Sequence, residues 1–494
     1  MVSHLSKHFA GLVLVYPIES AGSLHYFVLY IIAFSSAAFN GEVRAVSPRP
    51  NVVILLADDL GWNDVSYHGS EIQTPHIDRL VESGACLDQF YVQPICSPTR
   101  TALMTGRYPM RSGMHARVVR PWHTKGLPLE ERLLPEALRD AGYSTAICGK
   151  WHLGMADPAY LPLARGFDHQ YGHIGGHIDY FKHTYYGALD WHRDQIPLQE
   201  NGYTTELIAD EAVKILKEHD LKKPLFLLVS FNAPHSPQQV PNQYLLRNKH
   251  ITNKRRQTYA GMVSCMDDMI GRIVDTLGEL GLRENTLIFF CSDNGGATNT
   301  AANNEPLRGH KGQLYEGGIR VPAAAVWRDV ISPGTIIDEP LHIVDIYPTL
   351  ICLAGGTLKQ PLPIDGRDAW LTIAEGASSP HEAILFNALG RQGAIRQGNW
   401  KLVRNGMKAS QPPVIELFDL SKDPNEKQNV ATQQLQKVAE LTMLLDEFSR
   451  VEVEPDGLEP NEPADFRAPE VWDFSSSSIK AVSKAFSRAT NTKH

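Results

Sequence analysis

Cysteine is scarce in this 494-residue chain, which has six thiols (86, 96, 148, 265, 291 and 352) and no two of them close together. That scatter excludes zinc sites built on Cys-x2-Cys pairs, and no His-x3-His pair on a predicted helix takes their place. Long apolar runs are missing too: the N-terminal run Leu24 to Ala38 has 15 residues, short of the roughly 20 that span a bilayer as a helix. Basic charge is not in excess. With 47 Lys and Arg against 55 Asp and Glu, the net charge is -8, which argues against nucleic acid as a partner but leaves an anionic substrate open, because local cations decide what a cleft binds. There is no internal repeat, so solenoids and propellers are excluded.

What remains is the composition of a soluble globular protein, 43% hydrophobic and 21% charged, long enough for one large domain with an ample core plus a smaller one. The N-terminal apolar run ends in Ser35-Ser-Ala-Ala38, with Ala45 beyond and no lipobox cysteine. It reads as a secretory leader over residues 1–47, so an exported, periplasmic or secreted protein without a stable membrane anchor is expected. Glu19 and the single fixed cation Lys7 ahead of the run are unusual for such a leader.

Four apolar runs of strand length each end in residues that carry chemistry. Asn51 to Ala57 ends in Asp58-Asp59, Ser144 to Gly149 leads into Lys150-Trp-His152, Pro224 to Phe231 ends at Asn232-Ala-Pro-His235, and Thr286 to Cys291 ends near Asp293-Asn294. Open α/β sheets bind ligands beyond the carboxyl ends of their strands. Adjacent side chains of a strand face opposite ways, so Asp58 and Asp59 converge only where the strand stops and turns; capping that turn is the competing reading. If the strand persists, Lys150 and His152 project to one side. Helices are predicted over Thr74 to Ser83, Leu134 to Gly142, Thr204 to His219, Arg255 to Leu280 and His342 to Gly355.

Between His169 and His192 lie five histidines (169, 173, 177, 183, 192) among Tyr171, Tyr180, Tyr185, Tyr186 and Trp191. The stretch reads as a loop-rich insertion, suited to sugar binding or simply a surface loop. A glycine-punctuated loop, Pro306 to Pro322, holds Lys311, and its Arg308-Gly-His310 is expected to shape a leaving-group pocket. After a linker to about Pro380, short strands at Ala383 to Asn387, Ala394 to Arg396, Trp400 to Arg404 and Glu416 to Asp419 precede a helix from Thr432 to Ser449. This suggests a small antiparallel sheet with one helix over residues 381–452, after a main domain at 48–380. The tail, 453–494, reads as extended or disordered.

The densest chemistry is Cys96-Ser97-Pro98-Thr99-Arg100. Ser97 is a natural N-cap and Pro98 fits the first helical position, which puts Cys96 just before a helix N-terminus that favours an anion. Arg100, four residues on, can lie on the same side. Isolated cysteines are commonly small buried hydrophobes. A thiol phosphatase, with Cys-x5-Arg spacing, needs arginine where Ala102 stands.

The longer run Pro94 to Arg107, with Leu103-Met-Thr-Gly-Arg107, resembles the signature of type I sulfatases, in which this cysteine is oxidised to formylglycine by a separate enzyme. Gly149-Lys-Trp-His-Leu-Gly154 matches the second sulfatase signature, and Lys311-Gly, Glu316-Gly-Gly-Ile-Arg-Val-Pro322 and Leu417 to Glu426 follow the family. The spacing around Leu56 to Asp64 and Thr105 to Arg111 is similar to arylsulfatase B, the N-acetylgalactosamine-4-sulfatase type, without its cysteine-rich interior. With Cys96 modified, five cysteines remain, a poor count for a disulfide framework, so buried free thiols are expected.

The resemblance implies an alkaline-phosphatase-like α/β/α sandwich and hydrolysis of a sulfate ester, either a sulfated carbohydrate or an aryl sulfate. It implies one divalent metal, calcium with magnesium as the alternative, held by Asp58, Asp59, Asp293, Asn294 and modified Cys96; these oxygen donors suit such ions. In the implied mechanism the hydrated aldehyde attacks sulfur and Arg100, Lys150 and Lys311 neutralise the sulfate. His235 acts as acid for the departing alcohol and His152 as the base that releases sulfate. A formylglycine-dependent phosphonate monoester or phosphodiester hydrolase is the alternative.

Overall fold

Continuous apolar strands need cover on both faces, and that requirement sets the layers of the protein. The structure is a computed structural model that describes residues 15–18, 25–28, 49–389, 392–406 and 411–474. In chain order the elements that build the main body are β1 (Asn51–Ala57), α1 (Pro75–Glu82), α2 (Cys96–Thr105), β2 (Ser144–Gly149), β3 (His169–Gly172), α3 (Thr204–Glu218), β4 (Leu225–Ser230), α4 (Lys254–Glu279), β5 (Thr286–Ser292) and β6 (Ala323–Val326). They form the centre of a ten-stranded sheet in the order β3-β2-β4-β1-β5-β6. The first five run parallel and β6 antiparallel.

Alternation along β1 shows why the sheet is sandwiched. Val53, Leu55 and Ala57 join one core with residues of α1, α3 and α4, such as Leu80, Ile208 and Met262. Val52, Ile54 and Leu56 join the other, with Ala102 and Leu103 of α2 and Leu350 of the helix Ile346–Leu353. This is the expected alkaline-phosphatase-like α/β architecture. The register places the site: Ser292 stands beside Ala57, and Ser230 beside both Leu56 and Gly149. The residues that follow these four strands therefore leave the sheet at one edge.

A second sheet of four antiparallel strands, β7 (Ile384–Leu389), β8 (Gln392–Gln397), β9 (Trp400–Asn405) and β10 (Val414–Asp419), carries α5 (Leu435–Ser449) through the buried Leu441 and Leu445. From Val453 to Phe474 the chain is extended, apart from a bridge between Val471 and Leu189, and it is pinned to the body by backbone bonds from Val453 to Met110 and from Thr124 to Gly457. The rest of the expected tail lies outside the described residues.

Several expected elements shift. The helix expected from His342 begins as a 3-10 turn, Ile343–Asp345, because His342 Nδ1 accepts the Val344 N–H and holds the chain back before Ile346–Leu353 starts. The histidine-rich stretch is not an inserted loop: β3 extends the main sheet, and His173, His183, His192 and Trp191 are buried. All six cysteines are free, five of them buried and Cys352 exposed.

The segment Met1–Pro48 is a separate unit in which Val15–Ile18 pairs antiparallel with His25–Val28. Most of the expected leader lies outside the described residues. Among the described residues no helix is long and apolar enough to cross a membrane.

Candidate active site

The turn at the end of β1 resolves how two adjacent carboxylates converge. Asp59 adopts φ 68°, a left-handed conformation unusual for a residue with a side chain, and this folds its carboxyl back toward that of Asp58. Asp58 N–H donates to Ala233 O, Asp293 N–H to Ala57 O, and Asp59 N–H to Asp293 Oδ1 at 3.3 Å, so three strand ends are stitched together.

The helix that carries Cys96 begins two residues earlier than the capping pattern suggested. Ile95 is the N-cap and Cys96 the first helical residue. Ser97 does not cap because it has better partners in the interior: its Oγ donates to His152 O at 2.9 Å and accepts the Val119 N–H at 3.0 Å. Lys150 and His152 do not share a strand face either. Gly149 at φ 110° and His152 at φ 63° turn the chain, sending Lys150 Nζ to Asp58 Oδ2 at 2.6 Å while His152 Nε2 meets Val119 O at 3.0 Å.

Three buried carboxylates are matched by three cations. Lys150 pairs with Asp58 and Lys311 with Asp59, each at 2.6 Å, and Arg100 pairs with Asp293 at 2.9 Å. Arg100 also donates to Lys150 O and Ser230 Oγ, so its guanidinium is fully engaged. Burial and the nearby Asp58 push Asp293 up to about 6. Burial acts on Asp59 in the same direction, but Lys311 and then His235 overcome it and hold that carboxyl well below its ordinary range. Burial raises the Cys96 thiol against the pull of Lys150 and Lys311, so an unmodified thiol here stays protonated and is a poor nucleophile.

The donor chemistry fits a hard cation. Ligand atoms of Asp58, Cys96 and Asp293 lie within 4.8 Å of one another, as do those of Asp58, Asp59 and His235. Asp58 Oδ1 and Asn294 Oδ1 are buried and accept no hydrogen bond among the described residues. The Asn294 amide is oriented by donating to Asp59 Oδ1 at 2.7 Å, which leaves its oxygen turned elsewhere. Two orphaned buried oxygens in a carboxylate-rich cluster are what a divalent ion satisfies.

These groups open on a cavity of about 530 Å3 lined by Asp59, Cys96, His152, His235 and Lys311. Arg100 and Lys150 lie behind it. Of the five histidines, His177 alone is on this lining, stacked 6.3 Å from His235, while Arg308 is drawn away by Glu416 and rests 3.8 Å over the Tyr315 ring. His310 is turned to Lys311 O, so the Arg308-Gly-His310 segment does not line the cavity as expected. Sequence reasoning missed the wall made by Arg117, Val118, Arg120, His123 and Glu459. The basic spacing of Arg117, Arg120 and His123 shortly after Cys96 was the available signal.

The family follows from comparison. The sequence model of the sulfatase family matches residues 50–356. The chain belongs to the sulfatase family. It is 36% identical to arylsulfatase J of Mus musculus over 471 residues, 85% of this chain and 79% of that protein. It is also 36% identical to N-acetylgalactosamine-6-sulfatase of Mus musculus over 365 residues, 68% of each. The crystal structure of Ps i-CgsB is similar at a TM-score of 0.77 and 33% identity, covering 82% of this chain and 94% of that one. Ps i-CgsB in complex with k-i-k-neocarrahexaose gives 0.77 and 31%, covering 90% and 99%. The sulfatase is thus a sulfuric ester hydrolase of the type I family.

The sulfatase's cavity wall also has a titrating support. Asp190, pushed up to about 7 by burial, accepts the N–H groups of Ile174 and Gly175 and so fixes the loop that carries His177. A carboxyl raised in the folded state contributes stability that is full below its unfolded value, near 3.8, and is lost as pH rises through about 7. Asp190→Asn, uncharged throughout, is expected to gain melting temperature relative to wild type between pH 4 and 8; parallel curves would show that Asp190 does not titrate there.

Proposed function

We propose that this sulfatase removes sulfate from a sulfated carbohydrate, with residue 96 converted from cysteine to formylglycine by a maturation enzyme and with one calcium or magnesium ion held by Asp58, Asp59, Asp293, Asn294 and residue 96. The observation that carries the reading is the position of Cys96: first residue of a buried helix, within 4.8 Å of the Asp58 and Asp293 carboxylates, as a thiol that burial keeps protonated. The sugar is proposed from the names of similar proteins and from the saccharide bound to one of them. The N-terminal run is proposed to export the enzyme, and residues 48–380 and 381–452 to be its catalytic and C-terminal domains.

A formylglycine at residue 96 would supply, when hydrated, a nucleophilic hydroxyl for the ester sulfur and a second hydroxyl for a base to deprotonate. A divalent ion held by Asp58, Asp59, Asp293 and Asn294 would supply Lewis-acid polarisation. The remaining chemistry belongs to ordinary side chains. Lys311, on the cavity wall, meets the sulfate oxygens as charge moves toward the leaving oxygen. Arg100 and Lys150 act from behind, holding Asp293 and Asp58 in place and contributing positive field.

The two histidines differ in which nitrogen is free. His152 Nε2–H donates to the Val119 carbonyl, which can only accept, so Nδ1 holds the lone pair and is buried without a partner among the described residues. Burial, then Lys150 and Arg100, hold this ring well below its ordinary value, so it stays neutral and able to take a proton. His235 donates from Nδ1 to Ser236 O at 2.6 Å, leaving Nε2 at 3.6 Å from Asp59 Oδ2. Burial first, and then the nearby lysines against the opposing pull of Asp59, hold His235 down to about 4. An anionic ester in the cavity raises it, and Nε2 then delivers the proton to the departing alcohol.

Cys96→Ala is expected to abolish turnover while the melting temperature stays near wild type. In active wild-type enzyme the tryptic peptide Leu80 to Arg100 should alkylate at Cys86 alone; two reactive thiols in fully active material would refute formylglycine. His235→Gln should lower kcat by roughly 100-fold or more on sugar sulfates and much less on aryl sulfates whose leaving group needs no proton. An equal loss on both would assign the proton to another group.

A further inference from the structure

The cations around the reacting centre are committed. Arg100, Lys150 and Lys311 each pair with a carboxylate, and Arg117, on the cavity wall, donates to Leu458 O. Arg120 is different. It lines the same cavity, half-buried, and its guanidinium has no ion-pair or hydrogen-bond partner among the described residues. The acidic side chains of the lining are Asp59, already bonded by Lys311 and Asn294, and Glu459 on the exposed rim, with which Arg120 makes no ion pair.

The backbone at this point is tightly held. Val119 donates to Ser97 Oγ and accepts from His152 Nε2, while Arg120 donates to His123 Nδ1 and accepts the His123 N–H. One residue therefore ties the Arg120 segment to both the catalytic helix and the proposed base. A guanidinium that is always charged, partly out of water, unpaired and carried on a firmly held backbone is poised for an anion, which it grips in a two-pronged fork. Because the backbone is already held, only the side chain is left to order in that contact. A cavity of about 530 Å3 exceeds what a sulfate group alone fills.

We propose that Arg120 is a specificity residue that binds a second anionic group of the substrate, a sulfate ester or a carboxylate on the same or the adjoining sugar as the scissile sulfate. This rests on the carbohydrate reading given above. The enzyme then prefers multiply charged saccharides, and the scissile ester is presented to residue 96 by a contact at the cavity wall.

The test is a ratio. For wild type, Arg120→Gln and Arg120→Lys, kcat/KM is measured on a neutral monosulfated saccharide and on matched saccharides carrying either a second sulfate or a uronic carboxylate. The charged-to-neutral ratio should fall roughly 10- to 100-fold in Arg120→Gln, chiefly through KM, and should be partly restored in Arg120→Lys. The KM of the preferred charged substrate should rise with salt in wild type and much less in Arg120→Gln. The arm that moves identifies sulfate or carboxylate. An unchanged ratio in both arms overturns the assignment, whether or not overall activity drops. If wild type cleaves aryl sulfate and none of the saccharides, the carbohydrate reading fails and the Arg120 assignment falls with it.

Discussion

Three carboxylates gathered in the interior repel one another, and a structure that keeps them there must answer that repulsion. Here the answer is one cation for each: Lys150 on Asp58, Lys311 on Asp59 and Arg100 on Asp293. The pairing neutralises the cluster without exhausting it, since Asp58 Oδ1 and Asn294 Oδ1 still lack partners among the described residues. The cluster exists because parallel pairing aligns the carboxyl ends of β1, β2, β4 and β5. A slip of one residue in any of these strands would turn its side chains to the other face and dismantle the site.

The same edge organises the protein beyond the charges. Ser97 joins α2 to the His152 turn and to Val119, so the helix that begins at Cys96, the proposed base and one cavity wall form a hydrogen-bonded unit. That wall is braced from the far end of the chain, where Glu459 O accepts from both His123 and Trp122 and Leu458 O accepts from Arg117. Residues distant in sequence thus set the shape of the cavity on which residue 96 opens.

The parts of this arrangement that could be read beforehand are those with a strong local signal. β1, β2, β4 and β5 are short apolar runs because both faces are covered, and a polar residue after each marks where the sheet ends. Residues of separate motifs are brought to one place: Lys150 pairs with Asp58, Lys311 with Asp59, and the ligand atoms of Asp58, Cys96 and Asp293 lie within 4.8 Å of one another. The errors have local causes. Extrapolating the strand through Lys150 and His152 failed at two left-handed residues, Gly149 and His152. The cap expected at Ser97 assumed an exposed helix end, whereas the end is buried and the hydroxyl is used across the fold. His177 could not be told from its four neighbours, because what separates them is the fold around each: His173, His183 and His192 are buried, His169 pairs with Asp194 and Glu211, and His177 reaches the cavity. Arg120 and Glu459 come from irregular segments, where no periodicity reports which way a side chain faces.

If the buried cluster is built to hold a divalent ion beside residue 96, calorimetric titration of chelator-stripped protein with calcium or magnesium measures it most directly. One ion per chain is expected for wild type, with binding lost in Asp58→Asn and in Asp293→Asn while both variants remain folded. No binding to wild type, or binding that survives both substitutions, would contradict it.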